Sequence, residues 1–367
     1  MLYKLKDIFD LQMGKTPSRN NIEYWNTNDY KWVSISDLTK TDKYIYDTKE
    51  YLSKKAVNES GIKIIPANTV IMSFKLSIGK TAITAEDMYS NEAIMAFHDK
   101  HIVEIIPEYI FYLFKYKNWD DGSNKAVMGK TLNKAILSEV EIDICSIEEQ
   151  RKIVNVLDKI MNLISARKKE LSYLDTFTKA RFVELFGDMT LARNDWEKLL
   201  LCDVCDVRDG THDSPKYFTE GYPLITSKNV SGGKIDFSDC NLICEEDYNK
   251  INQRSKVDVG DILMPMIGTV GKPVIVDSQK KFAIKNVALI KFRENSAVVN
   301  SFIKVLLESD YFDREVINKV RGGTQKFISL GDIRKLNICL PPIKLQNQFA
   351  AFVNEIDKSK LQKFSAA

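Results

Sequence analysis

Apolar residues recur in the middle of the chain at Ile153, Leu157, Ile160, Ile164, Leu171 and Leu174, with spacings of 4, 3, 4, 7 and 3. A stripe of this heptad-like kind predicts an amphipathic helix that pairs with another helix. No Gly or Pro falls between Ile147 and Phe186, so nothing stops the helix before Gly187. The 39 residues from Ile147 to Leu185 would run roughly 58 Å at about 1.5 Å per residue. An ordinary core helix packed on a globe is far shorter, about 11–12 residues, so the length itself argues for a pairing role.

On both sides of this stretch the pattern shortens. YKWVSIS, TVIMSF and AIMAF precede it, and YPLIT, DILMPMIG and VALIKF follow it. These are short runs rich in β-branched and aromatic residues, separated by Gly, Asn, Asp and Pro, and they predict strands joined by turns. After each set the spacing predicts a short amphipathic helix, near 107–116 and 300–309. A glycine-bearing loop comes next, at 122–130 and 322–326, and then a closing helix. The first closing helix is the long central one. The second begins near Ile343, after Pro341 and Pro342. The predicted plan is globe, long helix, globe, helix, each globe mixing helix and sheet.

The two globes repeat one another. Residues 5–17, LKDIFDLQMGKTP, lie over 201–212, LCDVCDVRDGTH, at an offset of 196, with Gly14 on Gly210. YKWVSISDL (30–38) matches YPLITSKNV (222–230), and IIPANTVIMSFKLSIGK (64–80) matches KVDVGDILMPMIGTVGK (256–272), with Gly79 on Gly271. NEAIMAF (91–97) is laid on NVALIKF (286–292), and VEIDICSIEEQRKIVNVLDKI (140–160) on LNICLPPIKLQNQFAAFVNEI (336–356), with Gln150 on Gln346. Collinear matches with drifting offsets mean loop insertions inside a shared frame. Two copies are too few for a solenoid and predict a pseudo-two-fold molecule.

With these stretches in view, the chain resembles the specificity subunit of type I restriction–modification systems. The resemblance is carried by TPSRNNIEYWNTNDYKWVSISDL (16–38) in the first copy. In the second it is carried by DGTHDSPKYFTEGYPLITSKNVSGGKIDF (209–237), GDILMPMIGTVGKPVIV (260–276) and GGTQKFISLGDIRKLNICLPPIKLQNQ (322–348), together with the FGD at 186–188. It spans nearly the whole chain and is specific in combination. It implies an α/β (mixed α+β) fold with two pseudo-symmetric target-recognition globes, joined by long helices forming an antiparallel coiled coil. The globes would be 1–145 and 189–341, the spacer helix 146–188 and the distal helix 342–367. Each globe would read one half of a split site in double-stranded DNA. Two modification subunits would bring S-adenosylmethionine for adenine methylation, and restriction subunits would bring ATP and Mg for translocation and cleavage. This chain would hold no cofactor or metal. The sequence departs from the family in its distal helix, which is usually about as long as the central one. Aligned to the central stripe, Phe349, Val353 and Ile356 replace Ile153, Leu157 and Ile160, and then Lys360 stands where Ile164 would be. The seam fades there. A non-DNA adaptor, holding protein partners on two related globes, is the alternative.

Composition changes this picture little. The 367 residues suffice for two domains, and 44% hydrophobic with 28% charged residues fits a globular protein. No apolar run approaches the roughly 20 residues of a membrane span. The N-terminus MLYKLKDIFD carries charges where a signal peptide needs an apolar run, which with six scattered cysteines predicts a reduced cytoplasm. A net charge of +3 permits nucleic-acid binding without arguing for it.

Candidate chemistry is sparse. The Gly-Lys-Thr triplets at 14–16, 79–81 and 129–131 lack the glycine a phosphate loop needs five positions earlier, where Phe9, Phe74 and Asn124 stand. Cys202, Cys205, Cys240 and Cys244 offer four thiolates, but the repeat puts Cys205 in the place of Phe9, as a core residue rather than a zinc ligand. His98, His101 and His212 have no nucleophile or carboxylate at recognisable spacing, and no Asn-Pro-Pro-aromatic tetrapeptide is present. The candidate DNA contacts therefore sit on turns and strand ends. They are Lys15, Lys75, Lys80, Arg208, Thr211, His212, Lys228 and Lys272, and on the two glycine loops Lys125, Lys130, Arg321, Thr324, Gln325 and Lys326. Turn lysines suit phosphates, while Arg and Gln carry donors for base edges.

Overall fold

The computed structural model describes residues 1–367 except 26, 76, 120–131, 190–195, 232, 268–270, 320–326 and 366–367. The chain forms two compact units, Met1–Ala166 and Arg167–Ala367.

In the first unit a five-stranded sheet has the order Phe9–Met13, Ile94–Asp99, Val70–Ser73, Thr81–Thr84, Tyr44–Ile45. A three-stranded sheet has the order Glu50–Leu52, Tyr30–Val33, Tyr89–Ser90. Leu2–Lys4 pairs antiparallel with Glu141–Asp143 and ties the start of the chain to the residues before the central helix. The second unit repeats this. Its main sheet runs Asp206–Asp209, Val287–Lys291, Ile262–Pro265, Val274–Ile275, its smaller sheet Asn241–Ile243, Tyr222–Ile225, Ala283–Ile284, and Glu197–Leu200 pairs with Asn337–Leu340. Among the described residues the first unit's main sheet adds the edge strand Tyr44–Ile45, and the second unit adds the pair Val230–Ser231 and Lys234–Ile235. Val70, Met72, Met95 and Phe97 in one unit, and Ile262, Met264, Ala288 and Ile290 in the other, bury one face of each main sheet.

Strand pairing corrects one of the sequence matches. Leu11 faces Phe97 and Val207 faces Ile290, so Phe97 corresponds to Ile290 and the offset is 193. Matching NEAIMAF to NVALIKF from Asn91 and Asn286 gave 195. A slip of two keeps every side chain on its own face of the sheet, so the hydrophobic pattern cannot detect it.

The central helix spans Ile147–Phe186, 40 residues. Its N-terminus is a capping box. Ser146 Oγ accepts from Glu149 N at 3.4 Å, and Glu149 Oε2 accepts from Ser146 N at 3.3 Å. Gly187, at φ +75°, ends it in the left-handed conformation. Packing divides the chain within this helix. Val154, Leu157 and Met161 lie on the first unit's core, where Asp158 accepts from Lys43 and Tyr112. Phe182 and Phe186 are buried in the second unit's core with Phe302 and Phe349.

The distal helix, Ile343–Ser365, packs antiparallel along the second half of the central helix. Phe349 meets Phe182 and Phe186, Phe352 meets Phe177, and Lys360 pairs with Asp175 at 2.7 Å. The helix-pairing stripe thus differs from the one read in the sequence. The ring contacts are made by Phe177, Phe182 and Phe186, while Ile153, Ile160 and Ile164 of the predicted stripe stay 40–45% exposed and Leu157 packs on the first unit's core. The contacts run from Phe186 back to Asp175, and the distal helix's 23 residues span only about 35 Å at about 1.5 Å per residue.

Gln150 and Gln346 show why each helix keeps its place. Both are fully buried. Gln150 Oε1 accepts from Ile106 N at 2.9 Å, and its Nε2 donates to the Glu104 and Cys145 carbonyls at 2.9 and 3.0 Å. Gln346 Oε1 accepts from Val299 N at 2.9 Å, and its Nε2 donates to the Ala297 and Pro341 carbonyls at 3.0 and 2.8 Å. Each glutamine satisfies three backbone groups where the closing helix leaves its globe. Gln346→Leu leaves those groups buried and unpaired. It should lower stability by at least about 2 kcal/mol, seen as a lower unfolding midpoint of the second unit, whereas a loss below about 0.5 kcal/mol would show the staple to be dispensable.

Candidate nucleic-acid interface

In each unit the first strand of the main sheet runs into a glycine that touches the facing turn. Gly14 N donates to the Ile94 carbonyl at 3.1 Å and Lys15 N to the Ser90 carbonyl at 2.8 Å. Gly210 N donates to the Val287 carbonyl at 3.1 Å and Thr211 N to the Ile284 carbonyl at 3.0 Å. A Cβ at Gly14 would collide with the Ser90 and Asn91 carbonyl oxygens, and one at Gly210 with that of Ile284. Only glycine allows this approach. The residue two places on is held by an asparagine of the facing turn. Asn91 Nδ2 donates to Thr16 Oγ1 at 3.4 Å, and Thr16 in turn donates to Glu92. In the second unit His212 Nδ1 lies 2.8 Å from Asn286 Oδ1, and His212 Nε2 lies 2.8 Å from Asp209 Oδ2.

Asp209 is buried and its other oxygen accepts from Arg254 of the helix Glu245–Ser255. The hydrogen bonds to Asn286 and then Asp209 raise the His212 imidazole above its ordinary value, against the opposing effects of burial and of Arg254. A cleft of about 200 Å³ opens beside it, lined among others by Thr211, Ser214, Lys250 and Arg254. In the first unit the guanidinium of Arg19 stacks 3.8 Å from the Trp25 ring centroid and 4.9 Å from that of Trp32. Trp32 Nε1 donates to the Lys15 carbonyl at 3.1 Å.

The sequence-predicted residues fall unequally. Lys15 and Thr211 stand at the two matched glycines. Lys15 is exposed, its amine donating to the Ser60 carbonyl, and Thr211 Oγ1 accepts from Asp213 N at 3.1 Å. Lys80 and Lys272 follow Gly79 and Gly271, which share positive φ of +85° and +78°. Lys80 Nζ donates to Thr39 Oγ1 at 2.6 Å, and Lys272 is exposed. Lys75 lies over the Phe74 ring at 5.5 Å, and Lys228 reaches Asp239 at 3.3 Å. Arg208 is engaged within the protein, donating to Asp206 Oδ2 at 2.9 and 2.5 Å and to the Arg254 carbonyl at 2.7 Å. Lys125, Lys130, Arg321, Thr324, Gln325 and Lys326 lie outside the described residues. Sequence reasoning missed Asp209, Arg254 and Asn286, which meet His212 only through the fold.

Cys205 is buried in the core as Phe9 is, and burial pushes its thiol up to about 12. Among the described residues no helix is long and apolar enough to cross a membrane.

The family model for the type I restriction modification DNA specificity domain matches residues 1–173 and again 193–364. The chain belongs to that family. The two matches fall on the two halves of the repeat, so this type I specificity subunit carries two recognition domains. It is similar to the MjaIX specificity subunit of Methanocaldococcus jannaschii, at 28% identity over 96% of this chain and 85% of that one. Among solved structures it is similar to the type I restriction–modification S subunit from M. genitalium, with a TM-score of 0.54 at 14% identity, covering 100% of this chain and 91% of that one. A chain from a structure of type I complex assembly and conformational transition aligns with a TM-score of 0.54 at 15% identity, over 100% of this chain and 92% of that one. Both structural likenesses concern the specificity-subunit fold.

Proposed function

We propose that this chain reads a bipartite target in double-stranded DNA, one half-site per globe, and directs adenine methylation and cleavage by partner subunits. The observation that carries the reading is the duplication of the two sheets and of the terminal strand pair, with one family match on each copy. Two such units on one chain suit a target of two separated half-sites that differ in sequence. The partners are two modification subunits, which supply S-adenosylmethionine, and restriction subunits, which supply ATP and Mg. The chain itself supplies recognition. Exposed lysines at the matched turns, Lys15 and Lys272, suit phosphate contacts that set register, and side chains on neighbouring loops suit base edges.

A gel shift of the assembled complex across a salt series tests this. Phosphate contacts make affinity fall steeply as salt rises. Lys272→Ala should weaken binding evenly across sequences and lower the salt slope by roughly 1. An adaptor for protein partners would show no salt-dependent shift on any duplex.

A further inference from the structure

His212 is placed to do something its first-unit counterpart cannot. Both of its ring nitrogens face oxygen atoms, Asn286 Oδ1 and Asp209 Oδ2, each at 2.8 Å. A neutral imidazole has one N–H and can satisfy one such acceptor, whereas the imidazolium satisfies both. Asp209 is buried at the end of the strand Asp206–Asp209, so its position is fixed by the sheet. Asn286 sits in the turn before the strand Val287–Lys291, at φ +53°, with its backbone N donating to the Thr211 carbonyl at 3.2 Å. His212 therefore clamps the start of the segment 211–217 to two different elements of the second globe. Further along, Lys285 Nζ donates to Ser214 Oγ at 2.5 Å, and Phe218 N donates to the Leu242 carbonyl at 2.9 Å. The segment leaves the glycine turn, borders the cleft lined by Lys250 and Arg254, and returns to the small sheet.

We infer that His212, as an imidazolium bridging Asn286 and Asp209, is a positioning residue that sets the conformation of segment 211–217, through which the second globe reads its half-site. The inference rests on the proposed reading of one half-site per globe. His212 would touch no base, since both ring nitrogens are occupied within the protein. In the first globe Thr16 holds the matched position with Asn91 and Glu92, and a hydroxyl does not titrate there. Recognition of the two half-sites should then differ in its pH dependence.

The charged groups facing His212 are few. Asp209 comes from the strand before it and favours the charged ring. Arg254, from the helix Glu245–Ser255, pairs with the far oxygen of Asp209 and opposes it. Lys285, in the turn that bears Asn286, is turned to Ser214, and Asp213 follows in the same segment. The folded state holds the His212 proton more tightly than the unfolded chain does. The clamp is therefore complete below the ordinary histidine value and is lost as pH rises through the raised one.

The test uses the full chain assembled with its modification subunits and three duplexes: the methylated motif of the host, the same with the first half scrambled, and the same with the second half scrambled. Competition binding gives a discrimination ratio for each half at about pH 6 and about pH 8.5, either side of an imidazole titration. The second-half ratio should fall roughly tenfold with rising pH, the factor carried by one charge-assisted hydrogen bond, while the first-half ratio stays level. His212→Gln should make the second-half ratio low and flat. Asn286→Asp adds a second carboxylate to the ring and should move the step to higher pH, a readout that stands even if the glutamine variant fails to fold. A wild-type second-half ratio level across pH, or His212→Gln with the full ratio and its pH step, would overturn the inference and leave the bipartite reading intact. Loss of discrimination in both halves at both pH values would overturn that reading itself, and the inference with it.

Discussion

Exchange of residues 1–145 for the matching domain of another type I specificity subunit should change one half of the methylated motif and leave the other unaltered. Each unit keeps its own cores. Residues 5–161 supply one set of buried clusters and residues 182–353 another. The graft must keep the features that join globe to helix, which are Ser146, the Gln150 staple, and the Lys43 and Tyr112 contacts to Asp158. Lys43 and Tyr112 fall within the exchanged region, so a donor with a cation and a hydroxyl at those places should graft best. The new first half should then be discriminated by about 1–3 kcal/mol for each mismatched base pair, and the old first half should lose that preference entirely. Methylome sequencing of a strain carrying the chimera reads both halves at once. Alteration of both halves in a folded, active chimera would refute one half-site per globe.

Four residues inserted after Ser165 should widen the gap between half-sites while the same bases are read on either side. The helix is continuous there, with a dense run of Arg167, Lys168 and Lys169 just beyond and no Gly or Pro. The insertion lengthens it by about 6 Å at roughly 1.5 Å per residue and turns it by about 40° beyond a full turn. DNA advances about 3.4 Å per base pair, so one or two extra unspecified base pairs are expected in the motif. An unchanged gap with full activity would mean that this helix is not the ruler and that partner subunits set the spacing.

The central helix was legible in the sequence because a run without Gly or Pro from Ile147 and a stop at Gly187 are local signals. The repeat was legible for the same reason, since glycines such as Gly79 and Gly271 are demanded by local backbone geometry. What failed was whatever depended on distant partners. A two-residue slip in the strand Val287–Lys291 preserved the in–out pattern and went unseen. The apolar seam does give way to charge at Lys360, but its partner there, Asp175, lies 185 residues away in sequence and was not legible. Arg208 stood among the candidate DNA contacts, and its bond to the Arg254 carbonyl, 46 residues on, was not legible from spacing. The clamp on His212 joins residues 74 apart, and no spacing rule finds it.

The central claim is that this chain alone selects a split DNA target for its partners. Methylation-aware sequencing of host DNA, with the gene present, deleted and restored, tests it most directly. One bipartite motif, two specified halves around a fixed gap, should lose adenine methylation on deletion and regain it on restoration, with other methylated motifs unaffected. A methylome that does not change on deletion, or a lost motif that is one continuous block, would contradict the account.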